Sequence, residues 1–297
     1  MILKSYAKLN LSLEILERRP DSCHNLKTIF ERISLADTIS LKLRPDARIL
    51  VKTNRRDLPG DKSNLVYRAA ELLQRRYGVT KGVCVGLHKR IPVGAGLGGG
   101  SSNAATVLVG LNKLWKLGLS RKKLAAHAGT IGSDVPFFVY DCPFSAGRGR
   151  GEIIRPLPSL RKTNFWHVLV VPRVKVSTPL IYRRWDREET IREKRGGRRL
   201  TKGVFDVRLL TLELKRHDLS RISSYLYNSL ERVTVQLFPV VRLVKKRLED
   251  SGIKPVLMSG SGPAVFGIAA SRKEAIGVYR QLKNENRFWE VFVVRTI

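Results

Sequence analysis

Acidic side chains are the scarce class in this 297-residue chain: 25 Asp and Glu stand against 56 Lys and Arg, a formal net charge of +31. Such an excess points first to polyanions. The basic residues are scattered along the whole chain, however, and no C2H2 spacing, RRM-like aromatic signature or basic-zipper pattern goes with them. The reading is therefore a solvated basic surface compatible with phosphorylated substrates, with no specific nucleic-acid partner. Cysteine is equally thin. Cys23, Cys84 and Cys142 are odd in number and far apart, which excludes a disulfide framework and a paired-thiol zinc site and suits a reducing cytoplasm. No run of about 18 apolar residues occurs, so no membrane span is expected. The opening Met1-Ile-Leu-Lys-Ser-Tyr-Ala-Lys lacks the apolar stretch of a secretory signal. No Gly-x-Ser-x-Gly elbow is present, which argues against hydrolase chemistry. No residue pattern sets the oligomeric state.

What is present suffices for a sizeable core, since 43% of the residues are apolar. Ile2 to Glu17 and Leu26 to Leu43 read as strands, joined by a turn at Pro20-Asp21-Ser22 and bent at Ala36-Asp37. Asn64 to Tyr77 reads as a helix closed by Gly78, and Val83 to His88 as a strand. A helix from Ser101 to Trp115 carries the stripe Ala104, Leu108, Leu111, Trp115. Ser120 caps a short helix that Gly129 ends, and Ser133 to Pro136 opens another. Gly147 to Gly151 reads as a turn between strands. Phe165 to Pro172 is a buried strand, and Arg183 to Lys202, charged and nearly devoid of core residues, reads as a surface loop. Leu226 to Asp250 reads as helical with a break near Pro239. Val256 to Ile268 is strand, turn, strand; Ala275 to Lys283 is a helix; Trp289 to Val294 is a closing strand. The irregular mixture implies an α+β fold. The shift to Pro and polar residues over Arg155 to Asn164 divides the chain into an N-terminal domain, 1–155, and a C-terminal one, 156–297.

One segment carries most of the chemistry: Pro92-Val93-Gly94-Ala95-Gly96-Leu97-Gly98-Gly99-Gly100-Ser101-Ser102, with five glycines in seven residues. Glycine admits backbone conformations closed to other residues, so the amides can converge on anionic oxygens. The helix that follows aims unpaired N–H groups and its positive dipole end at the same point. Ser101 and Ser102 add hydroxyls for a phosphate or Mg²⁺. No Gly-Lys-Ser/Thr ends the loop, so it is not a Walker A motif, and no acidic residue follows at the dinucleotide spacing. The loop by itself implies a phosphate-bearing ligand.

Ala7-Lys8-Leu9-Asn10-Leu11, the glycine loop, and Ser259-Gly-Ser-Gly-Pro-Ala-Val-Phe266 together resemble the three motifs of the GHMP kinase superfamily, in order and across nearly the whole chain. Arg18-Arg19-Pro20-Asp21 with His24, Ser-Ser-Asn-Ala-Ala105, Gly132-Ser-Asp-Val-Pro-Phe-Phe138 and Val176-Ser-Thr-Pro-Leu-Ile-Tyr182 are similar to its 4-diphosphocytidyl-2-C-methyl-D-erythritol kinases. That resemblance implies ATP with Mg²⁺ as the ligand of the loop and ATP-dependent phosphorylation of the substrate's 2-hydroxyl in non-mevalonate isoprenoid precursor synthesis. It also implies a ribosomal S5-like N-terminal domain and a ferredoxin-like C-terminal one. It assigns catalysis to Lys8 and Asp134. Asn64, Leu65 and Lys89 fall to the adenine pocket, and Asn10, His24 and Tyr182 to the acceptor, with His24 reading the base edge and Tyr182 stacking on its face. The family usually reads Asp-Gly-Tyr-His where this chain has Asp21-Ser-Cys-His24, so a flexible glycine and a stacking ring are both missing. Two other readings stand beside this one: a related kinase acting on homoserine, mevalonate or a sugar, and a non-enzymatic polyanion-binding protein on the same fold.

Overall fold

The computed structural model describes residues 1–194 and 206–297. In chain order the elements are β1 (Ile2–Arg18), β2 (His24–Arg44), β3 (Ile49–Thr53), α1 (Leu65–Arg76), β4 (Gly82–His88), α2 (Gly99–Leu114), α3 (Arg121–Gly129), α4 (Val135–Val139), β5 (Phe144–Arg148), β6 (Ile153–Pro156) and β7 (Trp166–Pro172). Then follow α5 (Thr178–Lys194), α6 (Val207–Arg216), α7 (Leu219–Tyr225), β8 (Tyr227–Asn228), α8 (Glu231–Leu237), α9 (Pro239–Asp250), β9 (Val256–Met258), β10 (Val265–Ala269), α10 (Arg272–Glu285) and β11 (Trp289–Arg295).

Two sheets organise these elements. The first runs β3-β4-β2-β1-β8, with β5 added to β2 and β6 to β5. The second is antiparallel in the order β11-β7-β10-β9. Helices α1 and α2 cover one face of the first sheet, where Val66, Ala69, Leu73, Ala104 and Leu108 meet Ile39, Leu41, Val83 and Val85. Its other face packs on the second sheet through Leu9, Leu11, Ile29 and Ile33 against Leu169, Val171 and Phe266. Helices α9 and α10 close the far side of the second sheet. Strand β8 comes from the second half of the chain but pairs in parallel with β1, Ser12 opposite Tyr227 and Leu13 opposite Asn228, so the halves share a sheet.

Strand β1 shows how alternation positions the site. Ala7, Leu9, Leu11, Leu13 and Ile15 alternate with Lys8, Asn10, Ser12 and Glu14, the pattern of a strand with one wet face. All nine residues are nevertheless buried. The apolar set packs into the core, whereas Lys8 and Asn10 lie against the glycine loop and the 259–264 segment, and Ser12 and Glu14 lie nearer β8 and Lys27.

Three expectations need correction. Arg183 to Lys194 belongs to helix α5, not a surface loop; residues 195–202 of that stretch lie outside the described residues. The helix forms because Ile181, Trp185 and Glu189 recur at a spacing of four and are all buried, a stripe hidden by the charges between them. Leu226 to Asp250 is not wholly helical: Tyr227–Asn228 is a strand, and the break comes at Phe238, with Pro239 opening α9. There is also no bend at Ala36-Asp37. Strand β2 continues through it, and the irregularity sits just before, where Ser34 and Leu35 are extra between the pairs Ala7–Ile33 and Tyr6–Ala36.

The β1–β2 turn keeps a left-handed residue without glycine. Ser22 has φ +62°, its amide donates to Arg19 O (3.1 Å), and Arg19 N donates to Cys23 O (2.8 Å). A side chain in that region is strained by about 1 kcal/mol. Ser22→Gly is therefore expected to stabilise the protein by up to about 1 kcal/mol, less the entropy glycine adds to the unfolded chain. Urea unfolding checks this, and a destabilised variant would show that the serine side chain supports the turn.

Candidate active site

Three distant segments meet at one seam. The Lys8 amide donates to Leu97 O (3.0 Å), and the Ala264 amide to Ala95 O (3.3 Å). The Ser259 hydroxyl donates to Gly96 O (3.2 Å) and accepts from the Asn10 amide (3.2 Å). A Cβ on Gly96 would lie 2.3 Å from Ser259 O, and Gly96 has φ +77°, so only glycine permits this approach. Asn228 ties β8 to the same place, donating to the carbonyls of Met258 and Gly260, both at 2.8 Å. Over the seam opens a cavity of about 940 Å³. Every site residue expected from the sequence lines it except Ser102, which is buried beneath the helix with its hydroxyl accepting from Ser5 (2.8 Å).

The glycine loop presents free donors to this cavity. Gly98 stands at the N-cap of α2 with φ +67° and no side chain to cap the helix. The Ser102 amide is the first to find a helical acceptor, Gly98 O at 2.8 Å. The amides of Gly99, Gly100 and Ser101 have no acceptor among the described residues. Three unpaired N–H groups at the positive end of a 16-residue helix are a fitting cradle for phosphate.

A buried carboxylate that sequence reasoning took for part of a bend braces the loop. Asp37 is fully buried. Its Oδ1 accepts from the amides of Arg90 (2.7 Å) and Ile91 (2.9 Å). Its Oδ2 accepts from Asn103 Nδ2 (2.8 Å) on α2 and from the Lys89 ammonium. Asp37 thus clamps the segment entering the loop to the helix leaving it. An Asp inside a strand, where it is disfavoured, was the available signal. Burial lowers the Lys89 pKa, and the charge of Asp37 opposes that shift. Lys89 is therefore committed to the brace, not solvated, although it borders the cavity. Asn64 is similarly occupied, capping α1 through Val66 N (3.0 Å) and donating to Pro59 O (2.7 Å), while Leu65, Pro92 and Val93 offer apolar wall.

Beyond the loop lie the two residues assigned to catalysis. Lys8 Nζ stands 3.6 Å from Asp134 Oδ2. The ammonium also donates to Asn10 Oδ1 and sits 5.6 Å above the Phe30 ring. Asn10 Nδ2 donates in turn to Thr28 Oγ1 (2.8 Å), so both ends of the Asn10 amide are used inside the protein and its visible task is to hold Lys8. Burial lowers the Lys8 pKa, with Asp134 opposing the shift through its charge and hydrogen bond. Asp134 precedes α4 but makes no capping bond, which leaves its carboxylate free for the cavity.

His24 and Tyr182 come together from β2 and α5, their rings stacked at 5.2 Å with 28° between planes. The imidazole covers one face of the tyrosine ring. Burial raises the Tyr182 pKa, helped by the charge of Asp134. Thr178 and Ser261 share a hydrogen bond (2.7 Å) that pins the start of α5 to the third motif. Thr178 and Ser261 fall within the motifs read from the sequence but carried no role of their own there, and Asp186, which pairs with His24, lay in a charged stretch.

A branched side chain at Gly98 would meet Lys8 Cγ and the Phe138 ring at 3.0 Å and forbid the left-handed N-cap. Gly98→Val is expected to weaken ATP binding at least tenfold by calorimetry; unchanged affinity would show that the loop does not cradle phosphate.

Residues 64–142 match the family model for the GHMP kinases N terminal domain, and residues 210–287 that for the GHMP kinases C terminal. The chain is 39% identical over 295 residues to a 4-diphosphocytidyl-2-C-methyl-D-erythritol kinase of Shouchella clausii (strain KSM-K16), covering 99% of this chain and 94% of that one. It is 41% identical over 300 residues to the protein of the same name from Moorella thermoacetica (strain ATCC 39073 / JCM 9320), covering 100% and 99%. A crystal structure of 4-(cytidine 5'-diphospho)-2C-methyl-D-erythritol kinase superposes with a TM-score of 0.81 at 34% identity over 100% of both chains. A homoserine kinase from Cytophaga hutchinsonii shares the fold alone, at 19% identity and a TM-score of 0.73 over 100% of this chain and 94% of that one. With the three motifs closed around one cavity and relatives matched from end to end, the chain belongs to the 4-diphosphocytidyl-2-C-methyl-D-erythritol kinases of the GHMP kinase superfamily.

Proposed function

We propose that this protein transfers the γ-phosphoryl group of ATP to the 2-hydroxyl of 4-diphosphocytidyl-2-C-methyl-D-erythritol, a step toward isoprenoid precursors by the non-mevalonate route. The observation that carries this is the Lys8–Asp134 pair, 3.6 Å apart in the same cavity as the three free amides of the α2 N-terminus. The acceptor oxygen attacks the γ-phosphorus, the bond to the β–γ bridging oxygen breaks, and ADP leaves. The hydroxyl proton passes to Asp134, and the Lys8 ammonium offsets charge on the transferring oxygens. The loop amides and helix dipole hold the phosphate chain, and Leu65, Pro92 and Val93 supply apolar wall for the base.

Mg²⁺ fits this donor set only in a limited way. No group of three or more His, Cys, Asp or Glu among the described residues could hold a metal ion. The Ser101 hydroxyl is the loop's side-chain oxygen at the cavity, so phosphates and water would supply the remaining ligands, as Mg²⁺ commonly accepts. When bound, the ion neutralises phosphate charge. We place the domain division at 155/156 and the protein in the cytoplasm; among the described residues no helix is long and apolar enough to cross a membrane.

ADP release with a panel of acceptors tests the assignment: the cytidyl compound should be turned over fastest. Faster phosphorylation of homoserine, mevalonate or galactose would overturn the acceptor and keep the kinase. Asp134→Ala should lower kcat about 10²–10⁴-fold with ATP affinity within a few fold. The pH profile carries a further sign. Lys8 is cationic below its pKa, and burial lowers that pKa, so kcat should begin to fall with rising pH below an exposed lysine's 10.5. In the activity that Lys8→Arg retains, the alkaline limb should move upward; an unmoved limb would exclude Lys8 as its source.

A further inference from the structure

Helix α5 does more than supply a ring. Its residues Tyr182, Trp185 and Asp186 enclose the His24 imidazole from three sides. Tyr182 stacks on it at 5.2 Å, Trp185 meets it edge-on at 5.5 Å, and Asp186 Oδ1 lies 2.7 Å from Nε2. The His24 side chain is only 4% exposed, yet it borders the cavity, and its other nitrogen, Nδ1, has no hydrogen-bond partner within the described protein. The second oxygen of Asp186 lies 4.0 Å from Nε of the exposed Arg18.

These contacts decide what His24 offers a ligand. An ionised carboxylate only accepts hydrogen bonds, so the proton between Asp186 and His24 sits on Nε2. In the neutral imidazole the remaining nitrogen is then an acceptor, and its partner must be a donor. Cytosine carries an amino group at the position where uracil carries a carbonyl oxygen. We propose that Asp186 is a positioning residue that fixes His24 as an acceptor at Nδ1, so that the site selects an amino-bearing pyrimidine over a carbonyl-bearing one. This rests on the cytidyl acceptor of the proposed function and adds the residue through which base identity is enforced. Facing the uracil carbonyl, Nδ1 would remain buried and unpaired, a mismatch that corresponds to roughly ten- to a hundredfold in affinity.

The test compares kcat/KM for the cytidine-diphosphate-linked acceptor and its uridine-diphosphate-linked counterpart in the wild type, Asp186→Ala and Asp186→Asn. The wild type should prefer the cytidine compound by at least about tenfold. Asp186→Ala should bring the two within about threefold, because the ring can then carry its proton on either nitrogen. Asp186→Asn should fall between, since its amide can accept from Nε2 or donate to it. KM for ATP should stay within about twofold throughout, and the ratio of the two kcat/KM values does not depend on what fraction of a variant is folded. Nitrogen-15 NMR of His24 gives a readout independent of turnover: the proton should reside on Nε2 in the wild type and be shared between nitrogens in Asp186→Ala. A wild type that uses the cytidine compound while Asp186→Ala keeps the same preference overturns this inference alone, as does a wild-type proton on Nδ1. A wild type that does not phosphorylate the cytidine compound overturns the proposed function and this inference together. If Asp186→Ala loses turnover with both acceptors, the NMR result decides.

Discussion

The site depends on a contact too close for any side chain, the approach of Gly96 to the carbonyl of Ser259 at the seam between the glycine loop and the third motif. Around it, backbone and hydroxyl groups from residues 8–10, 95–97 and 259–264 bond directly to one another. Because these contacts are mostly backbone, the spacing between the glycine loop, the Lys8 main chain and the third motif is set by main-chain geometry. Phosphoryl transfer needs that precision, since positioning and electrostatics supply nearly all of its catalysis.

Burial of charge follows from the same closure. Lys8, Asn10, Asp37 and Lys89 are all withdrawn from water, and each is held by a partner of matching chemistry. Isolated buried charges would be costly; paired and hydrogen-bonded ones fix one arrangement. Asp37 illustrates the division of labour: it touches nothing in the cavity directly, yet binds the segment entering the loop and the helix leaving it. The large positive charge of the chain stands apart from this machinery. It suits anionic substrates by steering.

Much of this was legible in the sequence, for identifiable reasons. Five glycines before an apolar stripe admit few structures, and the loop and α2 lie where the pattern puts them, within two residues. Lys8 and Asp134 became readable together only through the family motifs, because an alternating strand lysine ordinarily faces solvent and an Asp before a proline ordinarily caps a helix. What stayed hidden was either nonlocal or masked by composition. The burial of β1 on both faces depends on elements more than 80 residues away. Tyr227–Asn228 is a strand solely because β1 is there to pair with it. The core face of α5 is written in Ile181, Trp185 and Glu189, but the arginines between them give the stretch the look of a loop, and Asp186 was lost with it. Ser22 shows the reverse case: the missing glycine was visible, and the backbone keeps the left-handed geometry regardless.

The central claim is that one seam sets both halves of the site, and Gly96→Ala tests it most directly. Its Cβ would stand 2.3 Å from Ser259 O in a left-handed conformation, so the loop and the third motif cannot keep their spacing. Calorimetry on the folded variant should find ATP and the cytidyl acceptor both weakened by at least about tenfold. Loss of one affinity with the other intact would contradict the account, because it would mean that the two half-sites are built independently.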